Sequence, residues 1–157
     1  MAVPYISGDA LAARLKDAAA SGSGARPAIV DVRDADFAGG HIVGARNVPS
    51  EEFHERVEGL VQSLAQQPTV VFHCSLSQQR GPAAARAYVA ARSLALKQQR
   101  VDELPAAQRI GSEQGAQHAV GGQEVCILRN GFSEFGKLHK NDAQLVQDYD
   151  EEAWSYR

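Results

Sequence analysis

One cysteine and one arginine in this chain stand at the two ends of a short polar segment, within His73-Cys74-Ser75-Leu76-Ser77-Gln78-Gln79-Arg80-Gly81-Pro82. Cysteine attacks as its thiolate, a form favoured by a helix N-terminus and by neighbouring cations. Arginine offers a rigid planar fork that matches two oxygens of a phosphate-like anion at once. A loop of this kind between a strand and a helix curls so that its backbone N–H groups face inward, toward the positive end of the helix dipole. The expected product is a cradle for a tetrahedral oxyanion above a nucleophilic sulfur. Cys74 is then the nucleophile and Arg80 the clamp, with Ser75, Leu76, Ser77, Gln78, Gln79 and Arg80 forming the oxyanion-binding loop. The Ser77 hydroxyl is expected to donate to the thiolate. His73 is expected to face away from the cradle and stiffen the loop through a backbone hydrogen bond, not to act as a base.

The flanking sequence has to supply that strand and that helix. Thr69-Val70-Val71-Phe72, preceded by Pro68, is short, β-branched and aromatic, the pattern of a buried strand. Gly81-Pro82 opens an alanine-rich helix over 82–96, since proline at the first helical position has no N–H to leave unpaired. Residues 28–33 and 125–128 read as further strands buried on both faces, as in a parallel sheet. Tyr5-Ile6 and Ala45–Val48 read as short ones. Ser7 and Ser50 are placed to cap helices, one through Leu11, Leu15 and Ala18, the other through Phe53, Val57, Leu60, Val61 and Leu64. Ser21-Gly22-Ser23-Gly24 ends the first helix as a loop. Alternating strands and helices predict an α/β fold, an open, mainly parallel five-stranded sheet with helices on both faces. Residues 97–122 have no clear period, which leaves a helical continuation near Val101–Leu104 or disorder. The C-terminal tail, 139–157, is acidic from 141 on, and Tyr149, Trp154 and Tyr156 are the residues expected to anchor part of it. Asp31 is expected to tie strand to loop by hydrogen bonds or by pairing with an arginine such as Arg46.

The segment from His73 to Pro82 resembles the Cys-x5-Arg active-site loop of rhodanese-fold phosphatases related to the M-phase inducer phosphatases. It is equally similar to the loop of the eukaryotic arsenate reductases built on the same fold. Ile29-Val30-Asp31-Val32-Arg33, followed by Gly40-His41-Ile42-Val43-Gly44-Ala45-Arg46-Asn47-Val48-Pro49, is similar to the strand–turn–strand signature of rhodanese domains. Arg129-Asn130-Gly131-Phe132 resembles the glycine turn after their last strand. The resemblance implies one rhodanese-like domain over 1–157, with a core of about 5–138.

It also implies two activities. As an arsenate reductase, the chain forms a thiol–arsenate adduct on Cys74, which glutathione attacks and glutaredoxin resolves. As a protein tyrosine or dual-specificity phosphatase, it forms a phosphocysteine instead. Many M-phase inducer phosphatases carry glutamates inside the loop, whereas this loop has Ser75, Leu76, Gln78 and Gln79. An ester leaving group needs a proton donor; departing water or hydroxide asks less, so arsenate is preferred. Glu134, Glu51 and Glu52, outside the loop, read as solvated helix residues. Sulfurtransferases of this fold generally have one residue fewer between cysteine and arginine, and come third with a non-catalytic phosphate-binding module.

Composition narrows the partners. A chain of 16.8 kDa supports one domain. A net charge of −3 offers no general attraction to nucleic acid or an anionic membrane. The expected partner is an arsenate or phosphate-type anion, with glutaredoxin or a phosphoprotein beside it. Two cysteines give no disulfide framework, so a reducing compartment, cytosol or nucleus, is expected. Cys126 lies in an apolar run and reads as core, not as a resolving thiol. No signal peptide and no run of ~18 apolar residues is evident. His41, His54, His118 and His139 are scattered, and neither a metal nor a bound cofactor is expected.

Overall fold

The computed structural model describes residues 2–21, 26–109 and 119–156. Short apolar segments alternate with helices, and five of the strands join one sheet in the same direction, while two others, His41–Ile42 and Val146–Gln147, pair antiparallel with each other apart from it. The strands are β1 (Tyr5–Ile6), β2 (Ala28–Asp31), β3 (His41–Ile42), β4 (Arg46–Asn47), β5 (Thr69–His73), β6 (Ala119–Val120), β7 (Gln123–Leu128) and β8 (Val146–Gln147). The helices are α1 (Gly8–Ser21), α2 (Phe53–Ser63), α3 (Arg80–Lys97), α4 (Gly131–His139) and α5 (Glu151–Ser155). The main sheet runs β1-β7-β5-β2-β4, all parallel, with β6 added antiparallel to β7. It therefore has six strands, not the expected five. The extra strand is a hairpin arm turned by Gly121 and Gly122, both at positive φ.

Alternation along the strands divides the core in two. Val30, Val70, Phe72, Val125 and Ile127 face α2 and α3, where Phe53, Val57, Leu60 and Tyr88 meet them. Ile29, Val71, Cys126 and Leu128 face α1 and α4, where Leu11, Leu15, Phe132 and Phe135 meet them. β5 is buried along its whole length and is paired on both sides, so the loop that follows it springs from the middle of the sheet.

Local expectations hold unevenly. Ser7 caps α1, its Oγ accepting from Ala10 N at 3.1 Å. Ser50 does not cap α2. It opens a 3-10 turn, and its hydroxyl donates to Asp34 at 2.6 Å. Helix α3 begins at Arg80, so Pro82 is its third residue and not its first, still within the turn whose N–H groups lack helical partners. Beyond α3 no helix covers Val101–Leu104; the chain extends there, with both residues buried, into a 3-10 turn at Ala106–Gln108. Residues 22–25, Met1, 110–118 and Arg157, including His118, lie outside the described residues.

The C-terminal segment is fastened by two of its three aromatics. Tyr149 and Trp154 stack with centroids 6.0 Å apart, both against Phe132, and Trp154 Nε1 donates to Gly39 O at 2.9 Å. Tyr156 is exposed and anchors nothing in the core. Trp154→Ala is expected to lower the unfolding free energy by roughly 1–3 kcal/mol, the cost of deleting a partly buried aromatic. Urea denaturation followed by far-UV dichroism measures it.

Candidate active site

The loop opens where β5 ends, at the C-terminal edge of the parallel strands, the edge at which sheets of this class place their ligands. Cys74 is buried, and its Sγ accepts from two backbone amides, Ser77 N at 3.2 Å and Gly81 N at 3.4 Å. Ser77 achieves this in a left-handed conformation, φ 56°. Gly81 lets α3 start so near the loop, since a Cβ there would lie 3.3 Å from Cys74 N and from His73 Cα. Two amides and the start of α3 are thus directed at one sulfur. The expected hydroxyl bond from Ser77 is absent: its amide, not its side chain, reaches the sulfur. Ser77 Oγ is buried with no partner among the described residues. Leu76, Gln78 and Gln79 are exposed at the loop surface.

The underside of the loop is held by α4. Asn130 and Gly131 take left-handed conformations, φ 64° and 63°, and turn the first N–H groups of α4 onto the loop. Phe132 N donates to Cys74 O at 3.0 Å and Ser133 N to Ser75 O at 2.9 Å. A Cβ on Gly131 would stand 2.3 Å from Ser75 O. With two loop carbonyls engaged below, the amides that follow are left to turn toward the sulfur.

His73 stiffens the same corner. Its Nδ1 lies 3.1 Å from Cys74 O, and since a carbonyl only accepts, Nδ1 carries the proton. Burial lowers its pKa, so the ring is neutral near pH 7. Nε2 is 3.7 Å from Asp31, too far for a hydrogen bond. Asp31 pairs instead with Arg33 at 2.7 Å, both side chains fully buried. The proposed Arg46 partner is elsewhere, donating to Ser63 at 2.6 Å. Burial alone would raise the Asp31 carboxyl, but the hydrogen bonds and charge of Arg33 beside it outweigh burial and the pKa falls.

Arg80 is engaged along one edge by two carboxylates that the sequence did not single out. Nη1 donates to Asp36 Oδ1 at 2.9 Å and to Asp34 Oδ2 at 3.2 Å, and Nη2 donates to Asp36 Oδ2 at 2.7 Å. Ser75 Oγ donates to Asp36 Oδ2 at 2.9 Å. The Arg80 hydrogen bonds hold the Asp36 carboxyl far below the usual carboxylate range, and Asp36 in turn raises Arg80. The fork between Nη1 and Nη2 is thus already occupied by carboxylate. The available sequence signal was position: Asp34 and Asp36 follow β2 at the same sheet edge from which the loop springs.

The remaining candidates fall away from the site or border it. Cys126 lies on the opposite sheet face, and burial pushes its thiol up to about 12. Glu51 and Glu52 are exposed, and Glu134 accepts from Asn130 at 2.7 Å. Beside Arg80 an apolar cavity of about 250 Å³ is lined by Phe53, His54, Ala83, Ala84 and Ala87. Among the described residues no three His, Cys, Asp or Glu side chains group as a metal site.

Two outcomes follow from this geometry. Gly131→Ala forces a left-handed residue against backbone oxygen and is expected to cost about 2–4 kcal/mol, read as a lower urea midpoint. His73 is neutral and buried in the folded state, so the unfolded chain takes up its proton first as pH falls below ~6.5. Stability is then lost on acidification from that point toward the folded pKa. His73→Asn is expected to flatten this slope between pH 7.5 and 5.5, measured by urea titrations across that range.

Comparison with known proteins agrees with the fold. The rhodanese-like domain model matches residues 9–138. Arsenate reductase 2.2 of Oryza sativa subsp. japonica is 39% identical over 88 residues, 55% of this chain and 62% of its own. Dual specificity phosphatase Cdc25 of Arabidopsis thaliana is 46% identical over 63 residues, 40% of this chain and 43% of its own. The chain thus spans about half the length of these curated relatives. A yeast protein tyrosine phosphatase of the rhodanese family superposes with a TM-score of 0.65 at 24% identity, covering 98% of each chain, a likeness of fold. Since the matched residues take in every strand of the main sheet but β1, the loop and nearly all of α4, this chain belongs to the rhodanese-like domain family.

Proposed function

We propose that this chain is an arsenate reductase in which Cys74 is the nucleophile and the 74–80 loop holds the oxyanion. The observation that carries this reading is the sulfur itself, buried under a strand-to-helix loop with two amides directed at it and Arg80 at the loop's far end. The unpartnered Ser77 Oγ, buried in the same loop, is a further donor suited to an anion's oxygen. In the proposed first step the Cys74 thiolate attacks arsenic, an S–As bond forms, and an oxygen leaves as hydroxide or water. Glutathione thiolate then attacks the Cys74 sulfur. The S–As electron pair stays on arsenic, reducing As(V) to As(III), while the two sulfurs are oxidised to a mixed disulfide. A glutaredoxin thiolate then attacks the glutathione sulfur of that disulfide, taking the glutathionyl group as its own mixed disulfide and releasing Cys74 as the leaving thiolate.

Two findings favour an external thiol and a leaving group that asks little of an acid. Val71 pairs with Cys126, and Cys74 lies three residues beyond Val71, just past the end of β5, roughly 10 Å away at strand spacing and on the other face. The carboxylates nearest the loop, Asp34 and Asp36, are held ionised and have no proton to give. The cavity beside Arg80 favours a second reading, since it has room for the aryl group of a phosphate ester, as a protein tyrosine or dual-specificity phosphatase requires.

The test is a parallel assay of arsenite production from arsenate, with glutathione and glutaredoxin, and of aryl phosphate hydrolysis. Arsenite production is expected, abolished in Cys74→Ser and reduced at least ~100-fold in Arg80→Lys, which keeps charge but loses the planar fork. Rapid ester hydrolysis with no arsenite formed overturns the reading in favour of the phosphatase.

A further inference from the structure

The five N–H donors of a guanidinium form two forks, one between Nη1 and Nη2 and one between Nε and Nη2. In Arg80 both Nη1 donors and one Nη2 donor go to Asp34 and Asp36. The Nε donor and the second Nη2 donor have no partner among the described residues, and together they make up the whole of the other fork. The two aspartates therefore do not exhaust the arginine. They occupy its end and leave its side.

Asp36 is itself firmly placed. It sits on a 3-10 turn, Ala35–Phe37, whose backbone is held by Arg33 Nη1 donating to Asp36 O at 3.2 Å and by Phe37 N donating to Asp34 O at 3.1 Å. Ser75 Oγ and Asp34 N, at 2.9 Å each, fix its carboxylate. A long, flexible side chain gripped at two nitrogens by a fixed carboxylate loses its rotational freedom before substrate arrives.

Resting on the reading of the loop as an oxyanion site, we propose that Asp36 is a positioning residue that buttresses the Nη edge of Arg80 and dedicates its Nε/Nη2 fork to two oxygens of the bound oxyanion. Asp34 seconds it, but Asp34 also accepts from Ser50 Oγ and Glu51 N and so joins this turn to the start of α2. Asp36 is therefore the residue to test.

The experiment measures protection of Cys74 from iodoacetamide by inorganic phosphate, in the wild type, Asp36→Asn, Asp36→Glu, Arg80→Lys and the Asp36→Asn/Arg80→Lys double variant. Thermal midpoints are followed alongside. Asp36→Asn is expected to weaken phosphate protection ~10-fold by freeing the guanidinium, with Asp36→Glu recovering part of the loss. If Asp36 acts through Arg80, the double variant lies within about twofold of Arg80→Lys alone, as coupled residues require. Equal or tighter protection in Asp36→Asn makes the carboxylate a rival of the anion and overturns the proposal, as does simple additivity in the double variant. In either case protection of the wild type leaves the oxyanion reading standing. Absence of protection in the wild type overturns both.

Discussion

The buried pair of Asp31 and Arg33 is the constraint on which the acidic side of the site depends. Two unit charges out of water are costly unless every remaining donor and acceptor is satisfied. Here Arg33 donates to both Asp31 oxygens, to Gly40 O at 2.8 Å and to Asp36 O at 3.2 Å, and its guanidinium lies 4.4 Å over the Phe132 ring. One side chain thus links the end of β2, the turn bearing Asp36, the glycine turn before β3 and the first turn of α4. Two of them, the turn bearing Asp36 and the start of α4, are bonded directly to the 74–80 loop. Loss of either partner would strand a buried charge at the junction of all four, so the pair acts as a geometric keystone more than as a source of net stability.

The loop is shaped from below and from the side by different elements. α4 takes the carbonyls of Cys74 and Ser75, and α3 and Ser77 bring amides to the sulfur. The first contact depends on a residue without a Cβ at Gly131, the second on the close start of α3 at Gly81. Backbone groups of one short segment are thereby sorted, carbonyls outward to a helix start and amides inward. The sorting follows from hydrogen-bond completeness, since carbonyls left unpaired at this depth would each carry a desolvation penalty.

The central strand, the loop and the helix after it were legible because their signals are local: β-branched residues, a polar gap, then Gly-Pro and alanines. Burial of Val30, Val70, Phe72 and Ile127 followed from the same runs. What could not be read is pairing across distance. Asp36 and Arg80 are 44 residues apart, and no periodicity joins them. Ser50 has the composition of a cap, yet Asp34 takes its hydroxyl, a competition visible only once β2 and the start of α2 are adjacent. Asp31 had a nearer arginine than Arg46, and the turn after β2 brings Arg33 back over it. Val101 and Leu104 are buried without a helical period because an extended segment packs them singly. In each case tertiary contact overrode a local preference.

Charge at the proposed oxyanion site follows from the same arrangement. The chain is net negative, and the cation closest to the loop is already matched by two carboxylates. Little long-range positive field is left to draw an anion in, and what remains acts over a few ångströms: the second fork of Arg80, the inward amides and the first turn of α3. Such short-range donors discriminate by shape, because a ligand must present oxygens where the N–H groups already point. A loop of this kind would hold a compact tetrahedral anion in preference to an extended acidic surface, and on the proposed reading the aspartates that diminish its pull on anions in general fix Arg80 for the anion that fits.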